Sequence, residues 1–352
     1  MTDAHPVLSA EVARAEELDA AGKHSEALVQ LVAGVHKQDA EALTRLGKRL
    51  LIGDRAPCRP AEAAGFIADA VRSGGAEAAA LQATLRMIQA VDERSMHSAL
   101  GALALAAERG FVPACAQLRV LAGQLPGTAA FAAPQDWREL ADGFDLAAWL
   151  AAPPGRALHQ QPRVHLFDAF IPPAMCRWLI ERARGRLARA QVYDGVTRET
   201  TIHQTRTNSA ALFNLLETDC VLALVQQRMC RGLNVSLRYL EPAAVLHYAV
   251  GQEIKPHFDF VDPNVPNHDE EIAQRGQRVV TFLVYLNEDY GDGQTEFPRL
   301  ALSHKGRTGE GLYFVNALND GKADLRTLHA GRPPGSGEKW IVSQFVRSRP
   351  VF

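Results

Sequence analysis

Through the first 120 or so residues, apolar positions recur at helical spacing, in Ala- and Leu-rich stretches with few β-branched runs. That period puts them on one face of a helix, so the pattern predicts a series of amphipathic helices. The helices repeat. Ala27, Ala63 and Ala99 lie 36 residues apart, as do Leu28, Ala64 and Leu100, and Leu31, Ile67 and Leu103. Ala42, Ala78 and Ala114 keep the interval, and so do Gly74 and Gly110. A fixed period in the thirties, with small residues where helices cross and Gly where they end, predicts stacked helix pairs. A plain helical bundle is the competing arrangement. Nothing in this half reads as catalytic; solenoids of this kind present a concave surface to a protein or peptide.

Beyond about residue 160 the pattern changes to short Val/Ile/Phe/Tyr segments separated by Gly, Pro and Asp turns. Arg278–Asn287 (RVVTFLVYLN) predicts a strand, Gly291–Pro298 (GDGQTEFP) a Gly-rich turn re-entering a strand, and Gly311–Asn316 (GLYFVN) a buried strand. Residues 328–346 (LHAGRPPGSGEKWIVSQFV) predict a Pro/Gly turn and a last strand. Short strands in such an array suggest a jelly roll or related double-sheet barrel. Between the halves lie Pro126, Gly127, Pro134, Pro153, Pro154 and Gly155. The expected organisation is α+β and multidomain: a helical repeat domain over 1–125, a linker over 126–160 with a short helix around Trp137–Leu150, and a β domain over 161–352.

Composition narrows the function classes. The 352 residues fit two domains, and 38 Lys plus Arg against 40 Asp plus Glu leave a net charge of −2. A protein that coats nucleic acid needs a phosphate-neutralising excess, so no nucleic-acid partner is expected. The run Arg182, Arg184, Arg186 and Arg189 is expected to form a solvated face. No apolar run approaches 18 residues, so no membrane span is expected. The N-terminus lacks a basic region followed by an apolar core, so no secretory signal is expected. Cys58, Cys115, Cys176, Cys220 and Cys230 are odd in number and widely spaced. They are expected to be buried and reduced, in the cytoplasm.

The chemistry lies in Leu246–Asp262 (LHYAVGQEIKPHFDFVD). His257 and Asp259 stand at i and i+2, which projects both side chains to one face of a strand. With His329 they make a set of two His and one carboxylate, which suits Fe(II) in oxygenases because half the octahedron stays open. Zinc is the main competitor, but HExxH is absent and no general-base Glu sits beside either His. Tyr285 shares a strand face with Thr281 and Leu283, and Ser343 and Phe345 share the face of Lys339. Tyr248 and Tyr285 also read as simple core aromatics. Arg278 reads either as a sheet-edge cap or as a group at a substrate mouth. His247 and His304 are expected to be exposed or structural, and His268, in an acidic loop, solvated.

HFD, RVVTFLVYLN, GxTxFP, HAG and GEKW, in this order and spacing, resemble the prolyl 4-hydroxylase branch of the Fe(II)/2-oxoglutarate dioxygenases over roughly residues 160–352. Val164–Ile180 is similar to the family's strand-then-helix opening, and Thr205–Ser209 (TRTNS) to its Arg-Thr-Ser segment. The first half resembles Sel1-like repeats, relatives of tetratricopeptide repeats, over about residues 10–122. The resemblance implies a double-stranded β-helix core and iron held by His257, Asp259 and His329. It implies 2-oxoglutarate and O2 as co-substrates and ascorbate as reductant. Lys339 matches the family's cation for the far carboxylate of 2-oxoglutarate, and Tyr248 its co-substrate phenol; Tyr285 and Ser343 join them as co-substrate contacts. Arg278, Phe345 and Ile254 are the candidate substrate contacts. Ile254 stands where many prolyl hydroxylases have Tyr, Phe345 where many have Trp, and Asp292–Gly293 keeps only the second glycine of a pair. The implied reaction is oxidative decarboxylation of 2-oxoglutarate to succinate coupled to C–H hydroxylation, with a prolyl or other residue of a protein or peptide as substrate, held by the repeats. The alternatives are a hydroxylase of free amino acids or peptide natural products, and a non-catalytic repeat adaptor. A halogenase is disfavoured, because Asp259 occupies the position it would need to vacate for halide.

Overall fold

The computed structural model describes residues 8–128, 135–151, 153–190, 192–194, 199–201, 205–318 and 321–351. They form two compact units. The first takes its described residues from 1–122, 131–147 and 215–224, and the second from the remainder.

The first unit is helical. Its helices are α1 (Ala10–Ala20), α2 (His24–His36), α3 (Ala40–Ile52), α4 (Pro60–Arg72), α5 (Ala76–Gln89), α6 (Glu93–Glu108), α7 (Val112–Leu121) and α8 (Trp137–Asp142). Local chemistry sets several ends. Ser9 and Asp39 accept backbone N–H groups at the starts of α1 and α3, and Asp92 and Ser95 form a capping box on α6. The 36-residue interval reappears as burial: Ala27, Ala63 and Ala99 are each 0% exposed, on α2, α4 and α6. Ala42, Ala78 and Ala114 are fully buried on α3, α5 and α7. The interval also appears in the backbone, since Gln38, Gly74 and Gly110 all have positive φ where α2, α4 and α6 give way to their partners. Helix crossings are tight: a Cβ on Gly34 would come within 2.6 Å of the Ala42 Cβ.

The second unit carries two main sheets. Its strands are β1 (Gly155–His159), β2 (Val164–Phe167), β3 (Ala188–Arg189), β4 (Val192–Asp194), β5 (Glu199–Thr201), β6 (Ser209–Phe213), β7 (Ala243–Tyr248) and β8 (Ile254–His257). They continue with β9 (Arg278–Tyr285), β10 (Tyr290–Asp292), β11 (Thr295–Phe297), β12 (Leu302–His304), β13 (Gly311–Val315), β14 (His329–Gly331), β15 (Pro334–Gly337) and β16 (Lys339–Arg347). An eight-stranded sheet runs β1-β2-β13-β9-β16-β7-β6-β3, and a four-stranded sheet runs β12-β11-β14-β8. Leu283, Tyr285, Leu312, Phe314 and Ile341 from the first sheet bury against Phe297 of the second, which makes this the core of a two-sheet jelly roll. The remaining α-helices are α9 (Leu146–Leu150), α10 (Pro173–Arg184), α11 (Cys220–Leu233) and α12 (His268–Arg275).

Several expectations need correction. The stretch expected as a linker with one helix holds two, α8 and α9, and ends in the paired strand β1. The expected Pro/Gly turn contains a short strand, β15 (PGSG), paired with β10. Residues 215–224 fold with the helical repeats: Leu215 and Leu216 pack on their core, and Gln117 Oε1 accepts the Cys220 N–H at 2.9 Å. All five cysteines are free, but Cys58 is exposed and Cys115 half-buried. Burial pushes the other three thiols up to about 12, which leaves them unreactive. The Arg run keeps its expected solvated face, with Arg184, Arg186 and Arg189 exposed, although Arg186 lies over Phe213 at 4.8 Å and Arg184 over Trp340 at 5.1 Å. No described helix is long and apolar enough to cross a membrane.

Candidate active site

The antiparallel pairing of β8 with β14 sets His257 directly opposite His329. Their ring centroids are 4.3 Å apart. β8 ends at His257, so Asp259 lies just past the strand rather than on it. It still reaches both rings: Oδ1 is 3.5 Å from His257 Nε2, and Oδ2 is 3.3 Å from His329 Nε2. One donor atom from each of the three residues lies within 4.8 Å of the others. The far ring nitrogens are committed. His257 Nδ1 donates to the Lys255 carbonyl at 2.9 Å and His329 Nδ1 to the Thr327 carbonyl at 3.0 Å. A carbonyl only accepts, so each Nδ1 carries a proton, and each Nε2 is the atom turned toward the cluster.

Asp259 is held from behind. Thr281 Oγ1 on β9 donates to Asp259 Oδ2 at 2.8 Å, and Asn316 Nδ2 donates to Thr281 Oγ1 at 2.9 Å. Burial works to neutralise the carboxyl, but the two imidazoles outweigh it and hold its pKa well below the usual range. For His329 burial again opposes charge, and the Asp259 carboxylate more than offsets it, so its pKa is raised. Phe297 and Phe314 pack on the His329 ring at 5.7 and 4.7 Å, making that side of the cluster apolar. Two imidazole nitrogens and one hard anionic oxygen fit Fe(II).

Lys339, the first residue of β16, is 0% exposed, and its Nζ has no hydrogen-bond partner among the described residues. Burial alone brings its pKa down to about 7. It sits opposite Tyr248 of β7, with Nζ 5.0 Å from that ring centroid. Tyr248 is itself buried, and burial raises its pKa. Its hydroxyl lies over Gly331, where an added Cβ would approach to 3.1 Å. The stem of Lys339 runs past Gly293, which has φ +69 and no room for a side chain against the Tyr290 ring. Asp292 also has positive φ, at 55°; Asp tolerates that region better than most residues, which explains how it replaces a glycine here. Tyr285 is differently placed: its hydroxyl donates to Thr295 Oγ1 at 2.8 Å within the core cluster, so it packs as a core aromatic. Ser343 is buried on the face of Lys339 and Ile341.

Arg278 is engaged elsewhere. It grips Glu241 with two bonds, at 2.7 and 2.9 Å, and lies 4.0 Å over the Phe345 ring. Glu241 also takes the buried Arg347, which reaches on to Glu271 of α12. Phe345 is thus the platform of a structural ion-pair network. Ile254 is buried with Leu246 and Tyr248, three residues before His257. His304 bonds Glu310 at 2.9 Å, His247 stacks on Trp340 at 4.3 Å, and His268 Nδ1 meets the Asp262 carbonyl at 3.0 Å, so all three have structural contacts. A separate open cavity of about 550 Å³, bordered by Gln161, Arg163, Leu318 and Arg326, contains none of the site residues. Thr281 and Asn316 are the supporting residues that sequence reasoning missed. Thr281 was detectable as an inward polar residue on a buried strand, and Asn316 carried no such signal.

A two-sheet jelly roll whose paired strands β8 and β14, with the residue just past β8, gather two His and one Asp defines the class of non-haem iron oxygenases. The sequence pattern of the 2OG-Fe(II) oxygenase superfamily matches residues 243–347. The chain is 32% identical over 185 residues to a putative prolyl 4-hydroxylase of Acanthamoeba polyphaga mimivirus, covering 52% of this chain and 74% of that protein. It is 31% identical over 191 residues to prolyl 4-hydroxylase subunit alpha-1 of Rattus norvegicus, covering 54% of this chain and 35% of that subunit. Among solved structures, it is similar to the viral collagen prolyl hydroxylase vCPH of Paramecium Bursaria Chlorella virus-1 in its 2OG complex. That match has 27% identity and a TM-score of 0.41, and covers 53% of this chain and 96% of the other. The chain belongs to the 2OG-Fe(II) oxygenases of the prolyl 4-hydroxylase type, and is a dioxygenase that uses Fe(II) and 2-oxoglutarate.

Proposed function

We propose that the chain hydroxylates a prolyl residue in a protein or peptide, with His257, Asp259 and His329 as the iron ligands and Lys339 as the partner of 2-oxoglutarate. The observation that carries this reading is the convergence of the three donor groups within 4.8 Å, each with its far side already bonded to protein. Bound iron and 2-oxoglutarate together supply the O2 chemistry, in which 2-oxoglutarate loses CO2 to become succinate and one oxygen atom enters a substrate C–H bond.

The chain's own residues prepare that chemistry. His257 and His329 turn Nε2 toward the cluster as the atom left to bind a metal, because their Nδ1 atoms are bonded to backbone carbonyls. Thr281 and Asn316 fix the Asp259 carboxylate in orientation. Lys339 offers a fully buried charge with no hydrogen-bond partner among the described residues, where a carboxylate is worth most to it. Tyr248 lies beside that ammonium as the co-substrate's phenol. Phe297, Phe314 and Ile341 give the interior an apolar wall, which keeps water from the reacting atoms.

Substrate choice rests on the similarity to proteins named prolyl 4-hydroxylases and on the helical repeats, which we assign to holding the polypeptide. The proposed organisation is a repeat domain over 1–125, a connecting segment over 126–160 and the oxygenase domain over 161–352. The free cysteines favour a reducing compartment such as the cytoplasm. The test is incubation of full-length protein with Fe(II), 2-oxoglutarate and proline-containing peptides. A +16 Da product assigned to proline, in step with succinate, is expected. Stoichiometric oxidation of a free amino acid with none of any peptide would overturn it.

A further inference from the structure

We propose that Asn287 is a positioning residue for 2-oxoglutarate: its side-chain amide pins the backbone on both sides of Lys339 and so sets where the ammonium meets the co-substrate's far carboxylate. The inference rests on the role of Lys339 proposed above. β9 and β16 pair as far as Tyr285 opposite Ile341, and the Leu286 N–H still donates to the Trp340 carbonyl at 2.9 Å. There β9 ends, and the Asn287 side chain takes over the ladder. Its Oδ1 accepts the Trp340 N–H at 2.9 Å, and its Nδ2 donates to the Glu338 carbonyl at 2.7 Å. The amide orientation follows from its partners, because one only donates and the other only accepts.

These two bonds fall on the residues immediately before and after Lys339. Along its other edge Lys339 is paired with Tyr248 of β7. The residue is therefore anchored by a strand on one side and by one side chain on the other. Most buried lysines are located by an anion that they grip. Lys339 grips none among the described residues, so its backbone anchors and the walls at Tyr248 and Gly293 decide where Nζ stands. Loss of the Asn287 amide frees the 338–340 backbone at the point where a displacement passes directly to the ammonium.

The experiment uses the full-length chain loaded with Mn(II), and calorimetric binding of two probes: 2-oxoglutarate, and 2-oxopentanoate, which carries a methyl group in place of the far carboxylate. Asn287→Ala removes two partly exposed hydrogen bonds and is expected to weaken 2-oxoglutarate about tenfold. It should leave 2-oxopentanoate within about twofold, because that probe does not use Lys339. In turnover, the KM for 2-oxoglutarate rises while kcat at saturation holds. On a Lys339→Ala background the Asn287→Ala effect disappears, as coupled residues require. Asn287→Asp keeps the acceptor for Trp340 and loses the donor to Glu338; it decides the matter if the Ala variant does not fold, and the same selectivity between probes is expected. Equal weakening of both probes, or an undiminished effect on the Lys339→Ala background, would show that Asn287 only supports the fold and would overturn the proposal. Normal 2-oxoglutarate affinity in Lys339→Ala alone is a separate result, which removes the Lys339 assignment itself.

Discussion

Lys339→Ala is the most demanding perturbation of the site. The side chain is 0% exposed and its ammonium has no hydrogen-bond partner among the described residues, so its charge is free for a ligand. Arg278 is already paired with Glu241. The far carboxylate of 2-oxoglutarate then enters a closed apolar site unpaired. Stripping one partner from a buried pair typically costs about 3–5 kcal/mol, and each ~1.4 kcal/mol is tenfold, so affinity should fall by two to three orders of magnitude. Iron affinity should move little, because the three ligand residues are untouched. Titration of 2-oxoglutarate into metal-loaded protein reads both quantities.

The same burial makes the binding pH-dependent. In the free protein the pKa of Lys339 lies at about 7, and a bound carboxylate raises it. Binding is thus at full strength below about pH 7 and weakens as pH rises, because the complex must take up a proton that the free protein has lost. The loss steepens as pH rises past the pKa, toward about tenfold per unit. Lys339→Arg keeps a permanent charge in a larger planar group, so it should recover part of the affinity and lose the slope. If Lys339→Ala binds 2-oxoglutarate normally, or Lys339→Arg keeps the wild-type pH profile, the ammonium is not the anchor.

Other consequences are simpler to measure. Asp259→Ala should abolish succinate formation and Mn(II) binding while circular dichroism stays native; full activity would remove Asp259 from the ligand set. Thr281→Val keeps the strand shape but withdraws the hydroxyl from Asp259, and should weaken Mn(II) or Co(II) affinity about 10–100-fold. Unchanged metal affinity there would show that the Asn316–Thr281 chain does not orient the carboxylate. Deleting residues 1–125 should lower Tm and open residues 215–224 to protease, since Leu215, Leu216 and Cys220 lose the helices they pack on. A truncated protein that melts and resists cleavage like the full chain would refute this.

How much of this was legible in the sequence follows from the range of each interaction. The repeat interval was readable because a helix crossing accepts only a small residue, so Ala27, Ala63 and Ala99 stand in register at full burial. It was not infallible: Leu28, Ala64 and Leu100 keep the interval, yet they are half-buried, exposed and buried in turn. Residues 215–224 bring no repeat of their own, so nothing local showed that they fold with helices 100 or more residues earlier. At the site, His257, Asp259 and His329 were readable from the two-His, one-carboxylate set and the order of motifs around it, and Lys339 because a buried strand rarely keeps a lysine without a partner. The groups that orient them were not. Thr281 reaches Asp259 from 22 residues away, Asn316 reaches Thr281 from 35, and Asn287 reaches Trp340 from 53. Thr281 stood out only as an inward polar residue on a buried strand, and Asn is common in turns, so neither type says what it will orient until strand register is known. The residues that perform the chemistry stand out by type. Those that decide how well it is performed emerge only from pairing, and substitutions at Thr281 and Asn287 therefore probe the site more finely than removal of a ligand.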